Sequence, residues 1–310
     1  MTVIICQKKK MTVDVVGSAK SDWSQVGFKW QQDMELPHCV FECIDGNWHA
    51  GKIQEDPYFK IHVMAQVLHY GQSIFEGLKA MQRKDGSVVV MNLDAHAARF
   101  RQSASGLVMP SVSDNLFREA VEMVVKANFK NIPPYGSGAS LYLRPLMIGD
   151  GVMLGLNPST RYTLRVLATP VGGYFESGKL QSQKAMVILD NDRAAPRGLG
   201  KFKCSANYIA DLKSLCKIKE QNFSMGLYLD ALKQEYIEEF NTSNFVGITH
   251  DGVFVTPETD SVLPSVTNKR LQQLAKDMGM RVEVRPVNFK KDIDTFAEVA
   301  GVRLICVVHQ

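Results

Sequence analysis

Two runs of strand periodicity constrain this chain more than any other feature. ASLYLRPLMIG (139–149) and RYTLRVLATP (161–170) alternate along their length as half-buried strands do. Each must pair in a sheet and bury a face. Two preceding segments read as helices. In SDNLFREAVEMVVKAN (113–128), Leu116, Ala120, Met123 and Val124 recur at helical spacing. After the strand VVVMN (88–92), Asp94 is expected to cap a helix through AHAARFRQSAS.

PVGGYFESGKLQSQ (170–183) then shifts to Gly, Ser and polar residues and reads as an interdomain linker. Beyond it the pattern restarts with the strand AMVILD (185–190). A helix is expected from Ser205 to Glu220, with Ile209, Leu212 and Cys216 on its inner face. GLYLD and EYIEEF read as paired strands, and NFVGITHDGVFVTP as a hairpin turning at HDG. LPSVTNKRLQQLAKDMG reads as a helix with Leu271, Leu274 and Met278 inward and Gly279 at its C-terminal end, before the strand RVEVRPV. Strands and helices mix without strict βαβ alternation. The fold class expected is α+β, as two mixed α/β domains with a cleft between them. The boundaries are a disordered extension at 1–20, a small domain at 21–169, the linker at 170–183 and a large domain at 184–310, incomplete at its end.

Composition excludes several classes. A net charge of +4, from 36 basic and 32 acidic residues, makes no case for nucleic-acid binding, and the KKK run at 8–10 reads as a solvated tail. Six cysteines form no CxxC pair, and His38, Cys39 and Cys43 lack a second ligand pair at zinc spacing. Reduced, mostly buried thiols and no metal are expected. No apolar run reaches membrane-spanning length, and MTVIICQKKK is a poor signal peptide, so a cytoplasmic protein is expected. GxGxxG, Walker and GxSxG patterns are absent.

What remains is GLGKFKCSANYIADL (198–212), which leads two lysines from a glycine turn into a helix, and the acid pair of YIEEFNTSN. Together with LHYGQSIFEGLKA (68–80), SLYLRPLMIGDG (140–151), PVGGYF (170–175), DRAAPRGLGKFKCSANY (192–208), YIEEFNTSNF (236–245) and SVLPSVTNKRL (261–271), these resemble the branched-chain-amino-acid aminotransferases. Those are fold-type IV pyridoxal-phosphate enzymes of D-amino-acid-aminotransferase-like architecture. Six motifs in the family's order are specific where one would not be, and the resemblance covers roughly residues 20–300.

The resemblance implies a cofactor, pyridoxal 5'-phosphate, joined as a Schiff base to Lys203, with Lys201 as the alternative two residues away. Glu239 would hold the ring nitrogen positive so that the ring acts as an electron sink, while Glu238 on the other strand face is expected to be exposed. Tyr208 would hydrogen-bond the ring hydroxyl and Leu263 would pack on the ring. Arg99, the helix start at Val266 and Thr267, and Thr242 or its backbone would take the phosphate. Tyr70, Phe75, Tyr142 and Tyr174 would line an apolar substrate pocket, with Arg144 for the distal carboxylate of glutamate. The activity implied is ping-pong transamination of leucine, isoleucine and valine with 2-oxoglutarate, in a homodimer.

The chain departs from the family at its end. After DIDTFAEVA it reads GVRLICVVHQ, where the family has a Gly-Thr-Ala turn and further elements. The expectation is a truncated or frame-shifted C-terminus and impaired cofactor retention, stability or both. A D-amino-acid transaminase, an aminodeoxychorismate lyase or a catalytically impaired remnant remain the alternatives.

Overall fold

The structure, a computed structural model, describes residue 23 and residues 26–173 and 182–302. The expected extension at 1–20, Tyr174 and most of the expected linker, and the segment after Val302 lie outside the described residues. The chain divides at Ser182 into two compact units.

The first unit is an eight-stranded antiparallel sheet covered by two long helices. Its elements are β1 (His38–Ile44), β2 (Asn47–Trp48), β3 (Lys52–Gln54), α1 (Gln66–Tyr70), β4 (Ser73–Phe75), β5 (Leu78–Gln82), β6 (Val88–Val90), α2 (Leu93–Gly106), α3 (Asp114–Ala127), β7 (Ser140–Gly149) and β8 (Arg161–Val171). The order is β2-β1-β8-β7-β5-β6, with β3 on β1 and β4 on β7. The two strands that sequence periodicity marked most clearly, β7 and β8, pair at the centre, Pro145 opposite Val166. Leu141, Leu143 and Met147 alternate inward from β7, as do Leu164, Val166 and Ala168 from β8. Each such side chain contributes about 1.5–3 kcal/mol when fully buried, less for alanine. Phe100 of α2 meets Phe117 of α3 at 5.5 Å between ring centroids.

Two expectations need correction here, and one strand was not foreseen. Asp94 does not cap α2: the cap position is Asn92, in the left-handed region at φ 56°, and Asp94 pairs with Arg118 instead. The buried face of α3 is Phe117, Ala120, Val121 and Val124, with Leu116 and Met123 only half-buried. Ser113 caps that helix by accepting from the Leu116 N–H. The strand β1 had no forecast; its HCVFECI run is buried over nearly its whole length and lacks the alternation that would flag it.

The second unit holds a mixed seven-stranded sheet. Its elements are β9 (Ala185–Ile188), α4 (Ser205–Ala210), α5 (Leu212–Glu220), β10 (Met225–Leu229), β11 (Ile237–Phe240), β12 (Ser243–Thr249), β13 (Phe254–Pro257), α6 (Val266–Asp277), β14 (Val282–Arg285), α7 (Phe289–Asp292) and β15 (Phe296–Val302). The order is β14-β13-β12-β11-β10-β9, with β15 on β12. β9 runs parallel to β10 and β13 to β14; the other pairings are antiparallel. The core gathers Leu227, Leu229, Ile237, Phe240, Phe245, Val255 and Phe296.

The single helix expected over 205–220 is two, broken at Asp211. Asp211 turns its carboxylate inward to the Tyr228 hydroxyl at 2.6 Å, and α5 then buries Ser214 and Ile218. Ile209, Leu212 and Cys216, expected inward, are exposed. In α6, Val266, Asn268 and Ala275 are the buried residues, with Leu271 half-buried beside Ala275. The small Ala275 makes the contact there, and Leu274 and Met278 face outward.

Candidate active site

The second unit carries a cleft lined by Lys203, Tyr208, Glu239, Asn241, Asn244 and Leu263 among others. Its geometry begins with a glycine. A Cβ on Gly200 would stand 1.9 Å from the backbone oxygen of Ser261, so only glycine lets the 198–203 loop lie this close. Asn207 then staples the loop by donating to the carbonyls of Leu199 and Phe202, at 2.9 and 2.8 Å. The chain leaves this staple with Lys203 half-buried at the entrance to α4. Lys203 Nζ donates to the Tyr208 hydroxyl at 2.9 Å. Lys201 is exposed, with its Nζ 5.6 Å from the Phe202 ring centroid, and does not line the cleft.

Glu239 reaches the cleft from β11 and is buried. Its Oε1 takes a contact from Arg193 Nη2 and the backbone N–H of Leu263 at 3.4 Å; its Oε2 accepts from Asn244 Nδ2 at 3.0 Å. The buried carboxylate is thus paired with a cation and hydrogen-bonded at both oxygens, which offsets the cost of burying it. Arg193 is itself buried. Burial pushes its guanidinium below the ordinary arginine value, and the charge of Glu238 pushes it back up. The expectation that Glu238 is exposed is wrong. It is buried, bonded to the Ser261 hydroxyl, and burial raises its carboxyl above the usual range. Both faces of β11 are covered in this sheet, so strand alternation does not bring Glu238 to solvent.

Thr242 lines the same cleft from an exposed turn position. Val266 and Thr267 form the first turn of α6, where Ser265 caps the Asn268 N–H at 3.1 Å, and they are not among the lining residues.

The first unit brings together a different set. Tyr142 and Arg144 lie two apart on β7, hence on one face. Arg144 donates from Nε and Nη2 to the Tyr142 hydroxyl at 3.0 and 2.9 Å, and its guanidinium carbon lies 4.6 Å from the centroid of Phe75. Phe28 meets Tyr142 edge-on at 5.5 Å. Tyr70 is anchored elsewhere, through its hydroxyl to the Leu154 carbonyl. Arg99 lies on α2, forked onto the fully buried Glu76, which also takes His96. Sequence reasoning missed Arg193, Asn241 and Asn244, which line the cleft. The register of β11 on β12, which sets Glu239 opposite Asn244, is the signal that would have found Asn244.

Comparison with known proteins fits this arrangement. The profile of the family described as amino-transferase class IV matches residues 73–301. The chain is 40% identical over 268 residues to a branched-chain-amino-acid aminotransferase of Helicobacter pylori (strain J99 / ATCC 700824), covering 86% of this chain and 78% of that one. Among solved structures it is similar to the Escherichia coli branched-chain amino acid aminotransferase, with a TM-score of 0.71 and 28% identity over 85% of this chain and 83% of that one. It is also similar to the T.th. branched-chain amino acid aminotransferase solved with pyridoxamine 5'-phosphate, with a TM-score of 0.70 and 25% identity over 85% and 82% of the two chains. An α+β fold of two sheets, with a lysine and a buried acid in one cleft, thus marks an enzyme of the class IV aminotransferases. Within that class, the chain belongs to the branched-chain-amino-acid aminotransferase family.

Proposed function

We propose that this enzyme transfers the amino group of leucine, isoleucine or valine to 2-oxoglutarate, yielding branched-chain 2-oxo acids and glutamate, with pyridoxal 5'-phosphate as the carrier. One observation carries the cofactor reading: a lysine bonded to a tyrosine hydroxyl and a carboxylate paired with a buried arginine line the same cleft. That donor set fits the group. Glu239 offers a fixed negative charge for a pyridinium nitrogen, Tyr208 a hydroxyl for a phenolic oxygen, and Leu263 an apolar contact for a ring. When bound, the cofactor supplies an aldehyde for amines and a ring that takes up electrons from the substrate α-carbon.

The chain's own residues do the rest. Lys203 Nζ would hold the cofactor and, as acid and base, would carry the proton from the substrate α-carbon to the cofactor's aldehyde-derived carbon, and back from there to the α-carbon of the second substrate. Tyr208 orients that nitrogen through its hydroxyl. Glu239 keeps the ring nitrogen protonated, and Arg193 and Asn244 keep Glu239 in place. Arg99, Thr242, Val266 and Thr267 are assigned to the phosphate, on the family resemblance. Tyr70, Phe75, Tyr142 and Tyr174 are assigned to the aliphatic side chain, and Arg144 to the distal carboxylate of glutamate. One pocket serves both substrates in turn, hence a ping-pong course. The proposal keeps the domain boundaries and the cytoplasmic location read from the sequence pattern, and a homodimer on that resemblance.

The test is borohydride reduction of the cofactor-loaded protein followed by peptide mapping. The label is expected on Lys203 and absent from Lys203→Ala. A label on Lys201, or none in the native protein, overturns the assignment. Rates with L-leucine, D-alanine and aminodeoxychorismate separate the branched-chain activity from the other two chemistries of this fold.

A further inference from the structure

Beneath the turn between β11 and β12 lies a polar cluster that the reaction described above does not use. Asp211, buried between α4 and α5, accepts from the Tyr228 hydroxyl at 2.6 Å on Oδ1 and from Asn241 Nδ2 at 3.2 Å on Oδ2. Tyr228, in β10, is fully buried. Asn241 continues the line of β11: its backbone N–H donates to the Gly226 carbonyl at 2.9 Å. It stands two positions after Glu239, in the turn that closes β11, and both residues line the lysine cleft.

A side-chain amide offers a donor nitrogen and an acceptor oxygen, and which one a ligand meets depends on how the amide is turned. Here the choice is made from behind. A carboxylate only accepts, so Asp211 takes the nitrogen of Asn241 and leaves the oxygen. The Tyr228 hydroxyl, donating to the other carboxylate oxygen, keeps Asp211 from rotating away. Among the described residues no donor reaches Asn241 Oδ1. A hydrogen bond between a buried carboxylate and an amide is charge-assisted and stronger than a neutral one, so the orientation persists when a ligand enters.

We propose that Asn241 contacts the ligand of the lysine cleft through its amide oxygen, which takes an amine donor and disfavours an anion, and that Asp211 and Tyr228 are positioning residues that fix that orientation. The inference rests on the cofactor reading above. The two states of the carrier differ at one carbon: the amine form bears a donor there and the aldehyde form bears none. An acceptor in the cleft therefore favours the amine form, the state in which the enzyme waits for its second substrate.

The test uses the full chain freed of cofactor and two probes measured by titration calorimetry. Pyridoxamine 5'-phosphate carries the amine; 4-deoxypyridoxine 5'-phosphate has a methyl group in its place and keeps the ring and phosphate. Asn241→Ser and Asn241→Leu are each expected to weaken the amine probe about fivefold or more, the worth of one hydrogen bond, and to leave the methyl probe within about twofold. Asp211→Asn frees the amide to turn and is expected to give the same selective loss without altering the cleft lining. Should that variant fail to fold, Tyr228→Phe, which removes only the hydroxyl, must show the selectivity in weaker form. Equal weakening of both probes, or no weakening, overturns the proposal. A native chain that binds neither phosphate ester fails at the cofactor reading itself and takes this inference with it, an outcome distinct from a native chain that binds both while the variants lose no selectivity.

Discussion

Arg99 forks onto Glu76, with Nε 2.6 Å from one carboxylate oxygen and Nη2 2.8 Å from the other. His96 Nδ1 shares the second oxygen at 2.8 Å. Burial alone would raise the Glu76 carboxyl; the Arg99 guanidinium and then His96 overcome this and hold it well below the usual carboxylate range. Glu76→Gln removes the buried negative charge that Arg99 and His96 share. The expected cost is about 3–5 kcal/mol, read from the urea midpoint. The sign with pH follows. A depressed folded value means that the stabilisation is present above the unfolded glutamate value of about 4.3 and is lost as pH falls below it. Glu76→Gln should therefore flatten the acid limb of the stability profile. An unchanged midpoint and acid limb would refute the pairing as a stabilising one.

Arg144 is tied to Tyr142 and faces Phe75. If it meets the distal carboxylate of glutamate, Arg144→Met should raise KM for 2-oxoglutarate about tenfold or more, the loss of a charge-assisted hydrogen bond. KM for 4-methyl-2-oxopentanoate should move far less. Steady-state kinetics with both acceptors decide it: parallel changes would assign Arg144 to packing alone.

Gly200 has no room for a side chain against the Ser261 carbonyl, and Arg193 Nη2 donates to the Gly200 carbonyl at 3.4 Å. Gly200→Ala must displace the loop that carries Lys203. A stability loss of about 1–3 kcal/mol is expected, together with weaker borohydride labelling of Lys203. Native thermal stability and full labelling would show that the loop yields freely.

Burial, and then the hydrogen bond to Asp211, push the Tyr228 phenol up to about 12. A raised folded value for an acid means that the neutral phenol's contribution is complete below the unfolded tyrosine value of about 10 and disappears as pH rises through about 12. Alkaline difference absorbance should find one tyrosine that titrates last in the native chain and is missing from Tyr228→Phe. Loss of no late-titrating phenol in that variant would contradict the burial described.

The sheet of the first unit was readable because β7 and β8 are long and alternate. β1 was not, because its residues are buried on both faces and periodicity vanishes. The inner faces of α5 and α6 were misread for a related reason. An apolar stripe locates a buried face only when the helix is continuous, and Asp211 breaks the first of these. The second packs through the small Ala275, which a search for large apolar residues passes over. Lys203, Tyr208, Glu239, Thr242 and Leu263, which the structure gathers around one cleft, were picked out by the order of motifs and by no periodic signal. Arg193 and Asn244 were illegible because their roles depend on strand register and on which polar groups burial forces together.

The strand β15 runs along β12 from Thr249 to Asn244. During synthesis the ribosome releases the lysine loop and the acid strand well before β15. Until β15 emerges, that flank of β12 is an open row of amide and carbonyl groups, able to capture another nascent strand. A slow elongation step between the two segments would lengthen that exposure, so the yield of native enzyme should be sensitive to translation speed over residues 250–295 and to chaperones that shield sheet edges.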